Sequence, residues 1–248
     1  MKIIAHRGAS IDAPENSLEA ICQAIKHQVD YVEFDVQLTR DAIPIVLHDT
    51  IIEDPAHSAQ WRLVRDLQFE EIGKLDVGKQ FLDKFEGMRI PTLEEVLALE
   101  TGKTGYFIEI KSAKPYAQAD VACIVDLLER VSCPKKVVIG SLNPAVVIEL
   151  SRLASSFSVI GIAASEGDIR AFLNQKLKLL AIQQQHLSAH TIKWLHKLGF
   201  EVWGWVIDDP YRAEEVASYG LDGVITNNVC RFASYFCDTL NTLKRMSF

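Results

Sequence analysis

His6 and Arg7 stand side by side, Glu33 and Asp35 lie two apart, His48 and Asp49 are adjacent, and Glu109 and Lys111 lie two apart. By type these are proton carriers, cation ligands and anion ligands. Imidazole is the side chain whose ordinary pKa suits proton transfer near neutral pH, so His6 and His48 are the candidate acid–base groups. A lone histidine is usually a packing residue. Two of them, one followed by Arg7 and the other by Asp49 and both in the company of carboxylates, point to a reaction site instead. Arg7 offers a planar fork of donors that suits phosphate or carboxylate, where a lysine would be only a point charge.

Residues two apart on a β-strand share a face, with Cα atoms about 6–7 Å apart, so Glu33 and Asp35 would present both carboxylates together. On a solvated edge strand that pattern means little. Here Tyr31, Val32, Phe34 and Val36 mark a buried strand, where unpaired carboxylates are costly and a cation is the natural partner. Glu109 repeats the geometry inside Tyr106-Phe107-Ile108-Glu109-Ile110-Lys111. A structural salt bridge to Lys111 is one explanation; a third oxygen ligand in a cage for a hard divalent ion is the other. The absence of cysteine from these strands argues against zinc, iron–sulfur and copper. Lys111, one step nearer the strand end, is expected to meet an anionic oxygen.

These residues need a scaffold that brings several strand ends together. Short β-branched runs alternate with amphipathic helical patterns along the whole chain, as in βα units with a parallel sheet. Strands are expected at Lys2–His6, Tyr31–Leu38, Tyr106–Lys111, Lys136–Gly140, Phe157–Ile162, Lys178–Ile182, Glu201–Val206 and Asp222–Thr226. Helices are expected at Ser17–Gln28, Leu93–Glu100, Ala117–Val131, Pro144–Ala154, Asp168–Asn174, Ala189–Leu198, Pro210–Ser218 and Cys230–Lys244. Thr92-Leu93-Glu94-Glu95 reads as a capping box, and Gly199 and Gly220 as helix terminators. Eight units fit an α/β fold of the closed (β/α)8 barrel type, whose working residues lie at strand ends and on the loops that follow them. The stretch from about residue 50 to residue 90 breaks the rhythm and reads as a small insertion after the second strand, placed over the catalytic end. Residues 1–248 are expected to form one domain.

Pro14-Glu15-Asn16-Ser17 is either a helix start capped by Asn16 or Ser17, or a support for His6 and Arg7 through Glu15 and Asn16. Trp205, alternating with Trp203, should turn its ring into the barrel or its rim, as core or as a platform for a small polyol. His27, His57, His186, His190 and His196 lie in helices or loops without carboxylate company and are taken as surface or packing residues. The 248 residues carry a formal charge of −7, which argues against nucleic-acid binding driven by phosphate neutralisation. Cys22, Cys123, Cys133, Cys230 and Cys237 form no CxxC pair and read as small buried apolar residues. No secretory leader or membrane-length apolar run is visible, so a cytoplasmic protein is expected. No helix face shows a pattern that identifies an oligomer interface.

The set His6-Arg7-Gly8, Pro14-Glu15-Asn16-Ser17, Glu33-x-Asp35-Val36-x-x-Thr39-x-Asp41, His48-Asp49, Glu109-Ile110-Lys111 and the Trp205 strand resembles the glycerophosphodiester phosphodiesterase family, of the cytoplasmic bacterial type. The resemblance runs from Lys2 to about Thr226. It implies a TIM barrel with a segment inserted after the second strand, and metal-dependent hydrolysis of glycerophosphodiesters, such as glycerophosphocholine or glycerophosphoethanolamine, to glycerol 3-phosphate and an alcohol. In that reading Glu33, Asp35 and Glu109 hold Mg²⁺ or Ca²⁺, His6 and His48 are the acid–base pair, and Arg7, Lys111 and Trp205 meet the substrate. Glu15, Asn16 and Asp49 support them.

Alternatives on the same site are glycerophosphoinositol hydrolysis and a lysophospholipase D-like reaction, the latter served by an apolar channel of Trp61, Phe69, Phe81 and Phe85. A non-catalytic barrel that binds a phosphopolyol is a further alternative, and a metal-free phosphosugar isomerase ranks last. The chain departs from the family pattern at Thr50–Pro55. It also reads Trp205-Val206-Ile207-Asp208 for Trp-Thr-Val-Asn, and Ile225-Thr226-Asn227-Asn228-Val229 for Ile-Thr-Asp-x-Pro. These departures are expected to bear on substrate preference and to leave the metal and proton-transfer groups untouched.

Overall fold

The structure is a computed structural model and describes residues 1–54, 60–111, 118–131 and 136–235. The chain opens with β1 (Lys2–Ala5), α1 (Leu18–Lys26) and β2 (Tyr31–Leu38). It then makes the short strands β3 (Pro44–Val46), β4 (Ile51–Glu53) and β5 (Trp61–Leu63) and the helices α2 (Phe69–Ile72) and α3 (Leu93–Leu97). The alternation resumes with β6 (Gly105–Ile110), α4 (Gln118–Arg130), β7 (Val137–Ser141), α5 (Pro144–Leu153), β8 (Ser158–Ala163) and α6 (Glu166–Leu173). It ends with β9 (Leu179–Gln183), α7 (Ala189–Lys197), β10 (Glu201–Trp205), α8 (Pro210–Ser218) and β11 (Gly223–Thr226), followed by helical residues from 229 to 235.

Among the described residues, parallel strands run around the sheet in the order β1, β11, β10, β9, β8, β7, β6, β2, and a β1–β2 pairing closes the ring. This is the expected (β/α)8 barrel, and the expected strands agree with the observed ones to within a residue or so at each end. The helices agree nearly as well. The outer faces of β1, β2, β6 and β7 bury Val32, Phe34, Tyr106, Ile108 and Ile139 against α1, α3, α4 and α5. The later strands do the same against α6, α7 and α8. Inside the ring Ile4, Phe107, Ile160, Leu179, Trp203 and Ile225 form a second core. This double burial is why the strands are apolar on consecutive positions.

Helix starts are set by local chemistry. Ser17, Thr92, Asn143, Ser165, Ser188 and Asp209 each accept a backbone N–H of the first turn. Thr92 and Glu95 complete the capping box. Gly199 and Gly220 adopt the positive φ values, 86° and 99°, that let the chain leave α7 and α8.

The insertion is more ordered than its composition indicates. β3 pairs antiparallel with the end of β2, and β4 with β5, and neither pairing is foreshadowed by periodicity because the strands are three residues long. Ile45, Val64, Leu67, Ile72 and Ile90 give the excursion its own small core. The four-ring channel does not form. Phe69 packs into that core, Phe85 is buried with Phe81 against Ala13 and Ala20, and Trp61 is 69 % exposed. Side chains competing for burial sort the aromatics to different places.

Two smaller expectations change as well. Cys22 and Cys123 are half-buried and Cys230 is exposed, all unpaired, because each lies on the flank of its helix and not on the core stripe. His196 does have a carboxylate partner: its Nε2 lies 2.9 Å from Asp222 Oδ2, across the end of the barrel opposite the strand C-termini, a contact that 26 residues of sequence separation conceal. His57, Cys133, Cys237 and the expected helix beyond residue 235 lie outside the described residues. No helix among the described residues is long and apolar enough to cross a membrane.

Candidate active site

The carboxylates come together because β2 and β6 are neighbours in register. Asp35 is the register partner of Glu109, and Glu33 lies one inward-facing position deeper on β2. Glu33, Asp35 and Glu109 are 2 %, 1 % and 8 % exposed. One oxygen from each lies within 4.8 Å of the others. Three buried like charges at that spacing repel strongly. Burial and then the neighbouring Asp35 and Glu109 charges push Glu33 well above the usual carboxylate range. Glu109 is pushed up to about 7, chiefly by burial, despite the adjacent Lys111. Asp35 goes the other way, since Lys111, Arg7 and the Asn16 amide outweigh its burial.

Two cations balance part of this charge. Lys111 Nζ lies 3.0 Å from Asp35 Oδ1 and 2.6 Å from Glu109 Oε1. The anionic oxygens it meets in the structure are therefore carboxylates of the cage. Arg7 lies with Nε 3.2 Å from Asp35 Oδ2 and donates from a terminal nitrogen to Glu15 Oε1 at 2.8 Å. When Glu15, Glu33, Asp35 and Glu109 are all ionised, two formal negative charges exceed those of Arg7 and Lys111, which a single doubly charged ion would cancel. Glu33 Oε1 is buried without a hydrogen-bond partner, an orphan acceptor of the kind that a bound ion satisfies. The all-oxygen donor set suits a hard cation. These three residues could hold a metal ion.

The β1–α1 loop is built to place Arg7 and support Asp35. Arg7 and Gly8 both take positive φ, 57° and 83°, and aim the Arg7 amide at Glu33 Oε2, 2.8 Å away. A side chain at Gly8 would meet the Ala20 carbonyl carbon at 2.5 Å, so the turn admits only glycine there. Asn16, also at positive φ, donates from its side chain to Asp35 Oδ2 at 2.8 Å and accepts from the Asp35 amide at 3.1 Å. Ser17 is the cap of α1. The four-residue segment thus serves both purposes, with the helix start assigned to Ser17 and the site contacts to Glu15 and Asn16.

His48 reaches the site by way of β3. The hairpin folds residues 44–46 back along β2, and Gln37 Nε2 donates to the carbonyls of Leu47 and Asp49 at 2.8 and 2.9 Å. His48 Nδ1 lies 2.9 Å from Asp49 Oδ1. A carboxylate can only accept, so Nδ1 carries the proton and Nε2 is left for the pocket. Gln37 was not singled out in the sequence; a buried amide one step beyond the carboxylates on the same strand is the signal that marks it.

His6 follows β1 and is fixed by a chain of side chains that local spacing does not foretell. Its Nδ1 lies 2.7 Å from Asn227 Oδ1, which also accepts from Ser10 Oγ at 3.1 Å. The Asn227 amide has only one possible orientation, because its Nδ2 donates to Asp208 Oδ2 at 2.8 Å while its backbone N–H donates to Asp208 Oδ1 at 2.7 Å. Asn227 Oδ1 must then accept from His6, so Nδ1 bears the proton and Nε2 carries the lone pair of the neutral ring. Burial, followed by the Arg7 charge, lowers the His6 pKa.

The expectation that the late departures leave the proton-transfer groups untouched is corrected here. Asp208, after β10, and Asn227, after β11, are hydrogen-bonded to each other and one of them to His6. In space the two departures are a single exchange of an acid and an amide between partner positions.

His6, Arg7, Glu33, His48, Glu109, Lys111 and Trp205 line one pocket of about 160 Å³, floored by Phe107. The structure therefore brings together the expected acid–base, cation-ligand and anion-binding residues. Trp205 is at the wall as expected, and Trp203, two residues earlier, is fully buried below it. Asp35 and Asn16 stand behind the wall, Glu15 is half-exposed beyond Arg7, and Asp49 is mostly exposed at the rim.

The chain is similar to known proteins over nearly its whole length. The Bacillus subtilis (strain 168) protein YhdW is 31 % identical over 233 residues, covering 92 % of this chain and 94 % of that protein. A glycerophosphodiester phosphodiesterase of Caldanaerobacter subterraneus subsp. tengcongensis is 30 % identical over 236 residues, covering 91 % and 93 %. Among solved structures, an Oleispira antarctica phosphodiesterase in complex with the product sn-glycerol-3-phosphate shares the fold with a TM-score of 0.85 at 23 % identity, over 94 % of this chain and 96 % of that one. The profile of the glycerophosphoryl diester phosphodiesterase family matches residues 6–231, so the chain belongs to that family and is an enzyme of that class.

Proposed function

We propose that the protein hydrolyses glycerophosphodiesters, such as glycerophosphocholine or glycerophosphoethanolamine, to sn-glycerol 3-phosphate and an alcohol, with a divalent cation, Mg²⁺ or Ca²⁺, on Glu33, Asp35 and Glu109. The observation that carries this reading is the convergence of three buried carboxylates, one with an orphan oxygen, on a pocket that also holds both histidines. When bound, such an ion supplies Lewis-acid polarisation of the phosphoryl oxygens and a fixed point for the diester.

The remaining chemistry belongs to the chain's own groups. Arg7 and Lys111, at the pocket wall, add positive charge where negative charge builds on phosphorus oxygens. His6, held neutral by burial and presenting Nε2, takes the proton from the attacking oxygen, whether that of water or of the glycerol 2-hydroxyl. A new P–O bond forms as the ester P–O bond to the alcohol breaks. His48, entering the step with both ring nitrogens protonated, gives its Nε2 proton to the departing alkoxide; where the 2-hydroxyl attacks, the cyclic phosphate so formed is opened by water, with His48 now taking a proton and His6 returning one. Positioned acid–base groups of this kind contribute about 10²–10⁴-fold each. Asn16, Gln37, Asp49 and Asn227 orient the reacting groups, and Trp205 forms an apolar wall against the glycerol carbons.

We treat residues 1–248 as one catalytic unit acting in the cytoplasm. The unpaired Cys22, Cys123 and Cys230 are in keeping with a reducing compartment. The test is release of glycerol 3-phosphate from glycerophosphocholine before and after exhaustive chelation, with Mg²⁺ and Ca²⁺ added back separately. Turnover that survives chelation undiminished would refute the cation assignment, and no turnover with either ion would refute the reaction.

A further inference from the structure

On the other side of the site a second cavity of about 480 Å³ lies between the β1–α1 loop and the insertion. His48 lines both spaces, so they adjoin at its ring. The inner pocket, at about 160 Å³, is well below the roughly 300 Å³ at which whole small-molecule sites begin. It has room for part of a diester. Two larger spaces adjoin it, this groove at His48 and one of about 380 Å³ at Glu109, Lys111 and Leu142, and a phosphate held beside His48 can extend one of its two ester arms into the groove.

The lining of that groove has a definite chemistry. Glu15, Asp49, Glu53 and Asp76 face it, and among the described residues no lysine or arginine does. Trp61 and Phe81 supply aromatic faces. Trp61 is 69 % exposed, although an indole is among the side chains that gain most from being covered. Glu53 is its register partner across the β4–β5 hairpin, which puts a carboxylate and an indole side by side on one face of the ribbon. Asp76 is kept ionised by the backbone amides of Gly78, Lys79 and Gly87, at 2.9, 3.1 and 2.8 Å. An indole beside carboxylates is the arrangement that recognises an ammonium or quaternary ammonium group. A polyol's hydroxyls can donate to the same carboxylates, but a neutral polyol gains nothing from their negative charge, which a cationic head group does. Of the two side-chain amides at the groove, that of Asn16 is committed to Asp35, leaving only Gln80. An anionic head group would meet four carboxylates.

We propose that the groove beyond His48 is the subsite for the leaving alcohol, that it selects diesters with a cationic head group over those of inositol, and that Trp61 is its principal specificity residue. The proposal rests on the phosphodiesterase reading above. Its test compares kcat/KM for glycerophosphocholine and glycerophosphoinositol, which release the same glycerol 3-phosphate, in the wild type, Trp61→Ala and Trp61→Phe. The wild type should favour the choline diester. Trp61→Ala should reduce the choline-to-inositol ratio about threefold to tenfold, the range expected for a cation–π contact, and Trp61→Phe should keep most of it. Tetramethylammonium should inhibit the wild type competitively and Trp61→Ala more weakly. A wild-type ratio at or below one, or a ratio that Trp61→Ala leaves unchanged, would overturn the subsite while the reaction stands. Absence of turnover on both diesters would overturn the reaction itself and the subsite with it.

Discussion

The Asp208–Asn227–His6 chain permits a test of how this site sets its proton inventory. Replacing Asn227 by aspartate puts a carboxylate where the amide oxygen now lies, 2.7 Å from His6 Nδ1. At an effective dielectric constant of about 20, a unit charge about 4 Å from the imidazolium is worth roughly 4 kcal/mol, an upper limit of about three pKa units. The neighbouring Asp208 opposes ionisation of the new carboxylate, so an increase of about 1–3 units is expected. The sign follows from the base role: His6 works unprotonated, and burial now holds its pKa below the ordinary 6.5. In N227D the acid limb of the kcat/KM–pH profile should move up by that amount, with activity at pH 6 falling at least about tenfold and recovering at high pH. The double variant D208N/N227D restores one carboxylate and one amide to the pair, and should keep the raised limb while folding as well as the wild type. An acid limb in the double variant that coincides with that of the wild type would show that His6 is not the titrating base, or that Asn227 does not set its environment.

Two further predictions concern the carboxylate cage. Because Glu109 is raised to about 7 and Glu33 is raised as well, a cation must displace protons at lower pH, so affinity should fall at least about tenfold per unit below pH 7, with proton release visible by calorimetry in buffers of different ionisation enthalpy. In the ion-free protein the sign of linkage is the reverse of the usual carboxylate case. The folded state binds more protons than the unfolded state between about 4.5 and 7, so stability should decline as pH rises through that window, and added cation should abolish the decline. Affinity that is independent of pH from 5 to 8 would contradict both. Asn16→Ala removes two hydrogen bonds to Asp35 and should lower cation affinity about 10–100-fold while costing about 1–3 kcal/mol in denaturant unfolding. An unchanged affinity would mean that Asp35 is positioned by Arg7 and Lys111 alone.

Much of the barrel and its site was legible in the residues. Periodicity in apolar positions is a local property, and it located the barrel strands, the helices between them and the capping box of α3. Alternation on β2 put Glu33 and Asp35 on one face, and the same rule on β6 put Glu109 with Lys111. The short strands β3, β4 and β5 escaped notice because three residues carry no usable period and are held by pairing with distant partners. The sorting of Phe69, Phe85 and Trp61 likewise depended on which cavities the folded insertion offered.

Side-chain chemistry and strand period, both written locally, were enough to decide the fold class and to single out the groups that converge on one pocket. What the chain alone could not decide was who touches whom across strand ends. The β2–β6 register levelled Asp35 with Glu109, closure of the ring brought His6 to Asn227 through 221 residues of separation, and β10 and β11 joined Asp208 to Asn227. Those contacts arise only when strands far apart in sequence become neighbours, because hydrogen-bond geometry and charge act over a few ångströms of space and take no account of distance along the chain.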